Sequence, residues 1–428
     1  MGCPTHSAKM DIKQNVNNVQ QFENNSKEKN PETIQNSDQA PKCKFFVKRK
    51  KRFCRITPAT NEEYCVCNAA IKDRPPYIVP GLNAGHCTDE NRASTDFKLA
   101  DMEQVILDKI IDKVNKIYEK LVIEEKITEL IVQHQLMEKE LSNEMYGNES
   151  RKHLIQTSAI IGYLEHYNLL RNSTSFVEYG CGKGQVSFYL AQAIANFPES
   201  NVVLIDRASL RHKKDNQIDD AIVVERVRAD IADFDITKHD LIQKSKRIVG
   251  LGKHLCGAAT DFAIRCAIHG NNTVKQNESA PKTEAILIAL CCHHRCDWIH
   301  FIGKDFFIEN DVTPDEFVLI TKMVGWAICG TGMSRERRKK FDEQQQKKRA
   351  KLELNDDNAI SDSSDDDEVK GVNFELRNER KEIGQRCKRL IDFARIRYLE
   401  KNGFTCYLKK YVQSDITLEN ICLVALLR

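Results

Sequence analysis

The chain has 428 residues, of which 41% are hydrophobic and 30% are charged, and its formal net charge is +3. This length suits one large core with accessory segments, or two to three domains, and the composition is that of a soluble globular protein. Because the charge is nearly balanced, a nucleic-acid-binding surface has to come from local clusters of basic residues. The longest apolar run, residues 285–292, is too short to span a bilayer, so no membrane partner is predicted.

The sequence opens without a secretory segment, which predicts an intracellular protein, in the cytoplasm or the nucleus. Sixteen cysteines in such a protein favour free thiols and metal ligands over a disulfide framework. Nothing in the sequence indicates a protein partner.

The first segments of the chain are polar and then basic. Residues 1–40 have few apolar positions, so we predict a disordered tail. Residues 41–72 form a basic, cysteine-rich segment, in which residues 42–55 carry eight basic side chains and no acidic one, with three phenylalanines among them. Basic side chains beside aromatic ones suit phosphates and stacked bases, so this segment is a candidate RNA-binding segment.

The same segment contains four candidate zinc ligands, Cys43, Cys54, Cys65 and Cys67. Four thiolates can hold a structural Zn²⁺ in a finger-like fold. A single residue separates Cys65 from Cys67, which is fewer than zinc sites usually have, so partly buried free thiols are an equal alternative.

Residues 73–98 are rich in proline and glycine and are predicted to be a linker. Over residues 99–146 the apolar positions recur at spacings of three and four, which predicts helices that either pack on the main domain or form a coiled coil. This helical spacing continues through Ile127 and Leu130 to Leu141.

Residues 150–428 alternate between strand and helix patterns, which predicts an α/β fold with a parallel sheet and crossover helices. Seven strands are predicted, at residues 175–180, 201–207, 223–229, 247–253, 284–291, 404–412 and 419–427. The sequence Thr-Pro-Asp-Glu at 313–316 predicts a capped helix start. A basic run and then an acidic, serine-rich run predict a disordered charged insertion at about 333–375, after which a helix is expected at 385–401.

The first strand of this sheet contains an acidic residue and leads into a glycine-rich loop. The residues concerned are Glu178 and then Gly180, Gly182 and Gly184. Alternating glycines allow a sharp turn and a close approach of the backbone to a ligand. Asp206 ends the second strand, where a carboxylate can accept hydrogen bonds from ribose hydroxyls. The pattern predicts a small cofactor, and ordinary turn chemistry is the alternative.

Two nucleotide-binding motifs are excluded at this loop. The dinucleotide fingerprint requires a glycine where Gln185 stands. A P-loop is excluded because no phosphate-binding lysine and hydroxyl follow the glycines.

The fourth and fifth strands end in two further motifs, GLGKHLCG at 250–257 and CCHHRCDW at 291–298. Ligands bind at the carboxyl ends of strands in an open parallel sheet. A basic side chain there could take a proton from a hydroxyl nucleophile, and the candidates, among which the sequence does not choose, are Lys253, His254, His293 and His294. The second motif also suggests a metal site, but adjacent residues of a strand point to opposite faces. Buried free thiols are the alternative for Cys291 and Cys292.

Together these motifs resemble the eukaryotic tRNA 2′-O-methyltransferases that modify the fourth nucleotide of the acceptor stem. The resemblance covers nearly all of residues 42–428 except the charged insertion, and it rests on residues 50–55, 178–184, 252–261 and 290–298. It implies a class I S-adenosylmethionine-dependent methyltransferase fold, Rossmann-like, with a seven-stranded, mostly parallel sheet whose last two strands form a hairpin. It also implies S-adenosylmethionine as methyl donor and a tRNA substrate methylated on a ribose oxygen.

The resemblance further implies site residues. Glu178 and the three glycines of the loop would line the methionine part of the cofactor, Asp206 would bind its ribose, and Asp230, which follows the third strand, would lie near the adenine.

At the N-terminus the sequence departs from the family pattern of a Cys-Cys-Cys-His finger followed by a Cys-His-His-Cys finger. Cys43, Cys54 and Cys65 match the first finger, but its histidine is missing and the chain continues directly into Val66-Cys67-Asn68, which resembles the end of the second finger. Either Cys67 replaces the histidine as fourth zinc ligand, or neither finger forms.

The predicted function is therefore transfer of a methyl group from S-adenosylmethionine to the ribose 2′-hydroxyl of the nucleotide at position 4 of the tRNA acceptor stem. Two alternatives keep the same loop: an RNA base methyltransferase, and a non-catalytic RNA-binding protein with a degenerate methyltransferase domain. The intact glycine loop with both of its carboxylates, Glu178 and Asp206, disfavours the second alternative.

Overall fold

The structure is a computed structural model that describes residues 46–47, 52–53, 74–85, 99–121, 123, 126–274, 280–329 and 364–428. The predicted tail, residues 330–363 of the insertion and the candidate zinc ligands Cys43, Cys54, Cys65 and Cys67 lie outside these residues. The chain divides into two units, Met1–Arg74 and Pro75–Arg428. In the first unit, strand β1 (Phe46–Val47) pairs antiparallel with strand β2 (Arg52–Phe53) within the basic segment.

The second unit alternates strands and helices. Its strands are β3 (Ile127–Glu129), β4 (Thr174–Tyr179), β5 (Asn201–Ile205), β6 (Val223–Val227), β7 (Arg247–Lys253), β8 (Lys282–Ala289), β9 (Phe404–Lys410) and β10 (Ile421–Leu427). Its α-helices are α1 (Gln104–Lys120), α2 (Glu138–Leu141), α3 (Asn148–His166), α4 (Gln185–Ala193), α5 (Asp240–Gln243), α6 (Ala258–Val274), α7 (Lys304–Ile308), α8 (Pro314–Met323), α9 (Trp326–Cys329) and α10 (Ser364–Lys401). No helix among the described residues is long and apolar enough to cross a membrane.

All eight strands belong to one sheet, in the order β3-β9-β10-β8-β7-β4-β5-β6. The strands from β4 to β8 run parallel to one another, whereas β10 is antiparallel to both β8 and β9. Since β5 and β6 lie on one side of β4 while β7 and β8 lie on the other, the strand order reverses between β4 and β7. Such a reversal opens a crevice at the carboxyl ends of the strands, where ligands bind. The predicted class I fold, with its terminal hairpin, is confirmed.

The sheet is apolar on both faces, as expected when helices cover both sides of parallel strands. Alternating residues of the central strands belong to two different clusters; in β4, Phe176 packs with α3 and α4, and Val177 packs with α6 and the end of α10. A third cluster joins α1, α8 and α10. The central strands β4, β5, β7 and β8 are therefore largely buried on both faces.

Strand β3 corrects the prediction that residues 99–146 are a helical segment. Helix α1 ends at Lys120, and Ile127–Glu129 then pairs parallel with β9 as an eighth strand. Ile127 packs with the cluster on one face of the sheet, and Leu130 packs with the cluster on the other. A spacing of three fits one face of a helix, but in an extended chain it places the two side chains on opposite faces, which this strand requires.

Two other boundaries differ from the predictions. Residues 75–85, predicted to be linker, pack within the second unit: the side chain of Asn83 is buried and its Nδ2 donates to the carbonyl oxygens of Ile231 and Phe234, at 2.7 and 2.8 Å. Helix α10 begins at Ser364, inside the predicted insertion and well before residue 385. The capped helix start at 313–316 is confirmed, because Thr313 and Glu316 form a capping box.

Helix α10 is held by a buried ion pair. Arg395 donates from Nη2 and Nε to the two carboxylate oxygens of Asp261 on α6, at 2.8 and 3.2 Å. Both side chains are 1% exposed. Because each charge would be very unfavourable without the other, the pair fixes the position of α10 against α6.

Candidate functional site

A cavity of about 390 Å³ opens at the carboxyl ends of β4, β5, β6 and β7, where the strand order reverses. Four of the predicted site residues line it, one from the end of each strand: Gly180, Asp206, Asp230 and His254. The other lining residues are Arg207, Ala229, Ile231, Leu255, Cys256, Ala258, Ala259, Phe262 and Arg295. The structure thus brings together residues from the glycine loop and both of the downstream motifs.

A larger groove of about 690 Å³ lies beside α10 and the β9–β10 hairpin. It is lined by five basic side chains, but three of them, on Arg386, Lys388 and Arg389, are already paired with carboxylates. It contains no residue of the glycine loop. The smaller cavity is therefore the better candidate for a cofactor site.

Asp206 joins the glycine loop to the cavity. Its Oδ2 accepts a hydrogen bond from the Gly182 N–H at 2.8 Å, and its Oδ1 accepts one from the Ala208 N–H at 2.7 Å. Both bonds fix the carboxylate, and each oxygen keeps a further lone pair for a ligand hydroxyl. This geometry suits the predicted contact with a ribose.

Asp230 provides a second fixed carboxylate on the same side of the cavity. It accepts a hydrogen bond from the Ala232 N–H at 3.1 Å, and Arg207 lies 3.6 Å from it. Apolar side chains of Ile231 and Phe262 line the cavity beside it. Carboxylates next to apolar walls fit an adenosyl group, whose hydroxyls donate hydrogen bonds and whose ring prefers apolar contacts.

All three loop glycines have left-handed backbones, with φ of 62° at Gly180, 53° at Gly182 and 72° at Gly184. A Cβ at Gly180 would lie 2.7 Å from the side chain of Leu255, and one at Gly184 would lie 2.6 Å from Asp215. At Gly182 nothing lies within 4 Å of such a Cβ. Side chains therefore pack closely against Gly180 and Gly184. Of the three loop glycines, only Gly182 has open space beside it, as predicted for the approach of a ligand. Neither Gly182 nor Gly184 lines the cavity, and their contact with a cofactor stays a prediction.

Glu178 lies in the core rather than in the cavity lining. It is 3% exposed, and its Oε2 accepts hydrogen bonds from the backbone N–H of Ser187, at 3.0 Å, and from the Ser187 hydroxyl. These bonds tie β4 to the first turns of α4. Burial raises the pKa of this carboxyl to about 7. Its predicted contact with the methionine part of the cofactor stays a prediction.

Lys253 is likewise buried and directed away from the cavity. Its Nζ donates to the carbonyl oxygen of His153, at 3.0 Å, and to Oγ1 of Thr157, at 3.1 Å, both on α3. Burial lowers the pKa of its ammonium group to about 8. Its observed contacts attach the end of β7 to α3.

His254 is the predicted proton acceptor that lines the cavity. Its backbone is left-handed, with φ of 63°, which is uncommon outside glycine and turns the exposed residue toward the cavity. Its ring packs edge-on against His153, with 5.5 Å between the ring centroids. Loss of hydration on the protein side, together with the charge of Lys253, lowers its pKa, so the imidazole is neutral and a weaker base than an ordinary histidine.

The two histidines after β8 do not line the cavity. His293 is 1% exposed, and its Nε2 lies 2.5 Å from Oδ1 of Asp392 on α10. His294 is exposed and next to Arg295. The pair of His293 with Asp392 joins the end of β8 to α10, a contact between residues far apart in the sequence.

Cys256 and Arg295 line the cavity, although the sequence analysis assigned no role to either. Both lie in the two motifs that follow β7 and β8, so the position of those motifs was the available signal. The loops themselves are in close contact, because a Cβ at Gly257 would lie 2.4 Å from the carbonyl oxygen of Arg295. This packing brings the end of β8 to the cavity.

Two family models match the chain. The model described as "Methyltransferase TRM13" matches residues 155–426, and that described as "CCCH zinc finger in TRM13 protein" matches residues 41–66. The first range contains the sheet from β4 to β10 up to Leu426 and the whole cavity. The second range contains Cys43, Cys54 and Cys65 but no histidine.

Relatives match over most of their length. The mouse protein named "tRNA:m(4)X modification enzyme TRM13 homolog" is 28% identical, over 90% of this chain and 94% of the relative. The human protein of the same name is 29% identical, with the same coverage of 90% and 94%. The Schizosaccharomyces pombe "tRNA:m(4)X modification enzyme TRM13" is 29% identical, over 84% of this chain and 89% of the relative.

We expect the Glu178→Gln variant to lose a pH dependence of stability that the wild-type protein has. The folded wild-type protein keeps a proton on Glu178 up to about pH 7, whereas the unfolded chain releases it near pH 4.5. The free energy of unfolding of the wild-type protein should therefore fall as the pH rises through this range, by up to about 3 kcal/mol from this residue.

Urea unfolding at several pH values across this range measures the effect. Glu149→Gln, which changes an exposed carboxylate at the start of α3, is the control and should follow the wild-type profile. Identical profiles for the wild-type and Glu178→Gln proteins would show that Glu178 is already ionised in the folded state.

Proposed function

The chain belongs to the TRM13 methyltransferase family, and on that premise we propose that it transfers a methyl group from S-adenosylmethionine to the ribose 2′-hydroxyl of the nucleotide at position 4 of the tRNA acceptor stem. One observation carries the proposal: the cavity where the strand order reverses is lined by Asp206 and Asp230 on one side and by His254 on another. The two carboxylates suit a nucleoside cofactor, and the imidazole of His254 suits a hydroxyl nucleophile.

S-adenosylmethionine supplies a methyl group on a positively charged sulfonium. On this proposal, Asp206 accepts hydrogen bonds from the ribose hydroxyls, and Ile231 and Phe262 contact the adenine beside Asp230. Because methyl transfer needs an in-line approach of the nucleophile, alignment of the two substrates supplies most of the catalysis.

His254 is the proposed general base. Its neutral imidazole lies at the cavity, where its unprotonated nitrogen can accept a hydrogen bond from the ribose hydroxyl. A base of this kind relieves the hydroxyl of its proton as the bond to the methyl group forms. Arg295, exposed on another wall of the cavity, is placed to attract a phosphate next to the reacting ribose.

The substrate class comes from the relatives, whose names state that they modify tRNA. The basic segment at 42–55, which matches the family's zinc-finger model, supports RNA binding. An acceptor stem is an A-form helix that proteins recognise mainly by its phosphates and 2′-hydroxyls. Such binding should weaken as the salt concentration rises.

Transfer of labelled methyl groups from S-adenosylmethionine to unmodified tRNA, followed by mapping of the label, tests the proposal. We expect label on the ribose of the acceptor-stem nucleotide and resistance of the following linkage to alkaline cleavage, because a 2′-O-methyl group removes the attacking hydroxyl. Label on a base would instead favour the base methyltransferase. Absence of S-adenosylmethionine binding would favour a non-catalytic RNA-binding protein.

We expect His254→Asn to lower the rate of methyl transfer by about 10²- to 10⁴-fold, the usual contribution of a general base. Asparagine tolerates a left-handed backbone, so the turn should be preserved. Single-turnover rates and cofactor affinity are to be measured together, and only the rates should change.

His294→Asn is the matched control, since His294 does not line the cavity, and its rate should stay near the wild-type value. A wild-type rate in His254→Asn would show that another group accepts the proton.

A further inference from the structure

Three thiols meet beside the cavity, at the ends of β7 and β8. Sγ of Cys256 lies 3.2 Å from Sγ of Cys292, and the Sγ atoms of Cys256, Cys291 and Cys292 all lie within 4.8 Å of one another. Among the described residues, these three cysteines are the group of possible metal ligands whose ligand atoms lie within 4.8 Å of one another. Cys256 also lines the cavity.

Ordinary core packing does not account for these thiols. Of the nine cysteines whose side chains are described, six pack in or against the apolar clusters: Cys181, Cys266, Cys296, Cys387, Cys406 and Cys422. The other three are Cys256, Cys291 and Cys292, which belong to none of those clusters. Cys256 and Cys292 are only partly buried. Their grouping therefore calls for a chemical explanation.

The backbone shows how two adjacent cysteines face one point. The objection that neighbouring residues of a strand point to opposite faces does not apply, because β8 ends at Ala289. Cys292 then adopts a left-handed conformation, with φ of 51° and ψ of 37°, which breaks the alternation. Close packing of Gly257 against Arg295 brings Cys256 to the same place from the other loop.

The surroundings favour a thiolate at Cys256. Arg295 lines the same cavity as Cys256 and contributes a positive charge beside it. Cys256 also lies two residues before the 17-residue helix α6, whose N-terminal dipole favours negative charge. Thiolates are the form that binds metal.

We propose that Cys256, Cys291 and Cys292 bind a thiophilic divalent cation of the Zn²⁺ class. Tetrahedral zinc with Zn–S distances of about 2.3 Å requires sulfurs about 3.8 Å apart. The observed separations, from 3.2 Å to no more than 4.8 Å, bracket that value, so small shifts complete the site. Three protein ligands leave a fourth position for water or for an oxygen in the cavity, as in zinc sites that keep one position open.

The cation would join the loop after β7 to the loop after β8, and so hold His254 and Arg295 at the cavity. It is distinct from the N-terminal finger, whose candidate ligands Cys43, Cys54 and Cys65 lie in the other unit of the chain. The proposal does not depend on the methyl-transfer reaction, so it can fail or succeed independently of the proposed function.

The first test is the metal content of the full-length protein, measured by elemental analysis after purification without added chelator. Cys256→Ser and Cys292→Ser should each contain one equivalent of zinc fewer than the wild-type protein. Cys406→Ser, which changes a partly buried cysteine on β9, is the matched control and should keep the wild-type content. Equal zinc contents in the wild-type and Cys256→Ser proteins would overturn the proposal.

Cys54→Ser separates this site from the finger. Any zinc of the finger should be lost in that variant and kept in Cys256→Ser. If zinc is bound at both places, the double variant should lose the sum of the two single losses. If Cys54→Ser alone removed all the zinc, no metal would remain for the thiols beside the cavity, and the proposal would be wrong.

A second measurement on the wild-type protein does not depend on the folding of any variant. Alkylation of Cys256 and Cys292, followed by peptide mass spectrometry, should be slow until a chelator removes the metal and fast afterwards. Equal rates with and without chelator would contradict the proposal. Protection that a reductant removes and a chelator does not would show a Cys256–Cys292 disulfide in its place.

Discussion

The packing of Leu255 against two glycines determines the geometry of the site. A Cβ would lie 2.7 Å from the Leu255 side chain at Gly180 and 2.4 Å from it at Gly252, so glycine at both positions lets the ends of β4 and β7 pack closely against this leucine. The residues beside Leu255 make different contacts. The Lys253 side chain donates a hydrogen bond to α3, His254 lines the cavity, and the Cys256 thiol lies next to that of Cys292. Three chemically different groups thus lie on either side of one packing contact.

The cavity has an acidic half and a basic half. Asp206 and Asp230, at the ends of β5 and β6, form the acidic half, in which Arg207 lies 3.6 Å from Asp230. His254 and Arg295, after β7 and β8, form the basic half. On the proposed function, the acidic half suits the hydroxyls of a nucleoside cofactor and the basic half suits a hydroxyl nucleophile flanked by phosphates. The two halves meet where the strand order reverses, so both substrates converge on one point of the sheet.

The sequence was sufficient to predict seven of the eight strands of the sheet and four lining residues at or near their ends, because strand ends and glycine turns leave strong local patterns. It did not show that Glu178 accepts a hydrogen bond from Ser187, since the partner of a strand side chain depends on which element packs on that face of the sheet. It did not choose among the four proton acceptors, because the left-handed backbone of His254 and the pairing of His293 with Asp392 leave no local signal. The meeting of Cys256 with Cys292 depends on the same kind of long-range packing.

The central claim is that the cavity at the ends of β4 to β7 binds the methyl donor, and calorimetric titration of S-adenosylmethionine tests it most directly. Asp206→Ala should weaken binding about tenfold or more, because hydrogen bonds to a charged group are lost. Asp219→Ala removes a similar carboxylate, which also accepts from the N–H two residues on but does not line the cavity, and should bind as the wild type does. Unchanged affinity in Asp206→Ala would contradict the account.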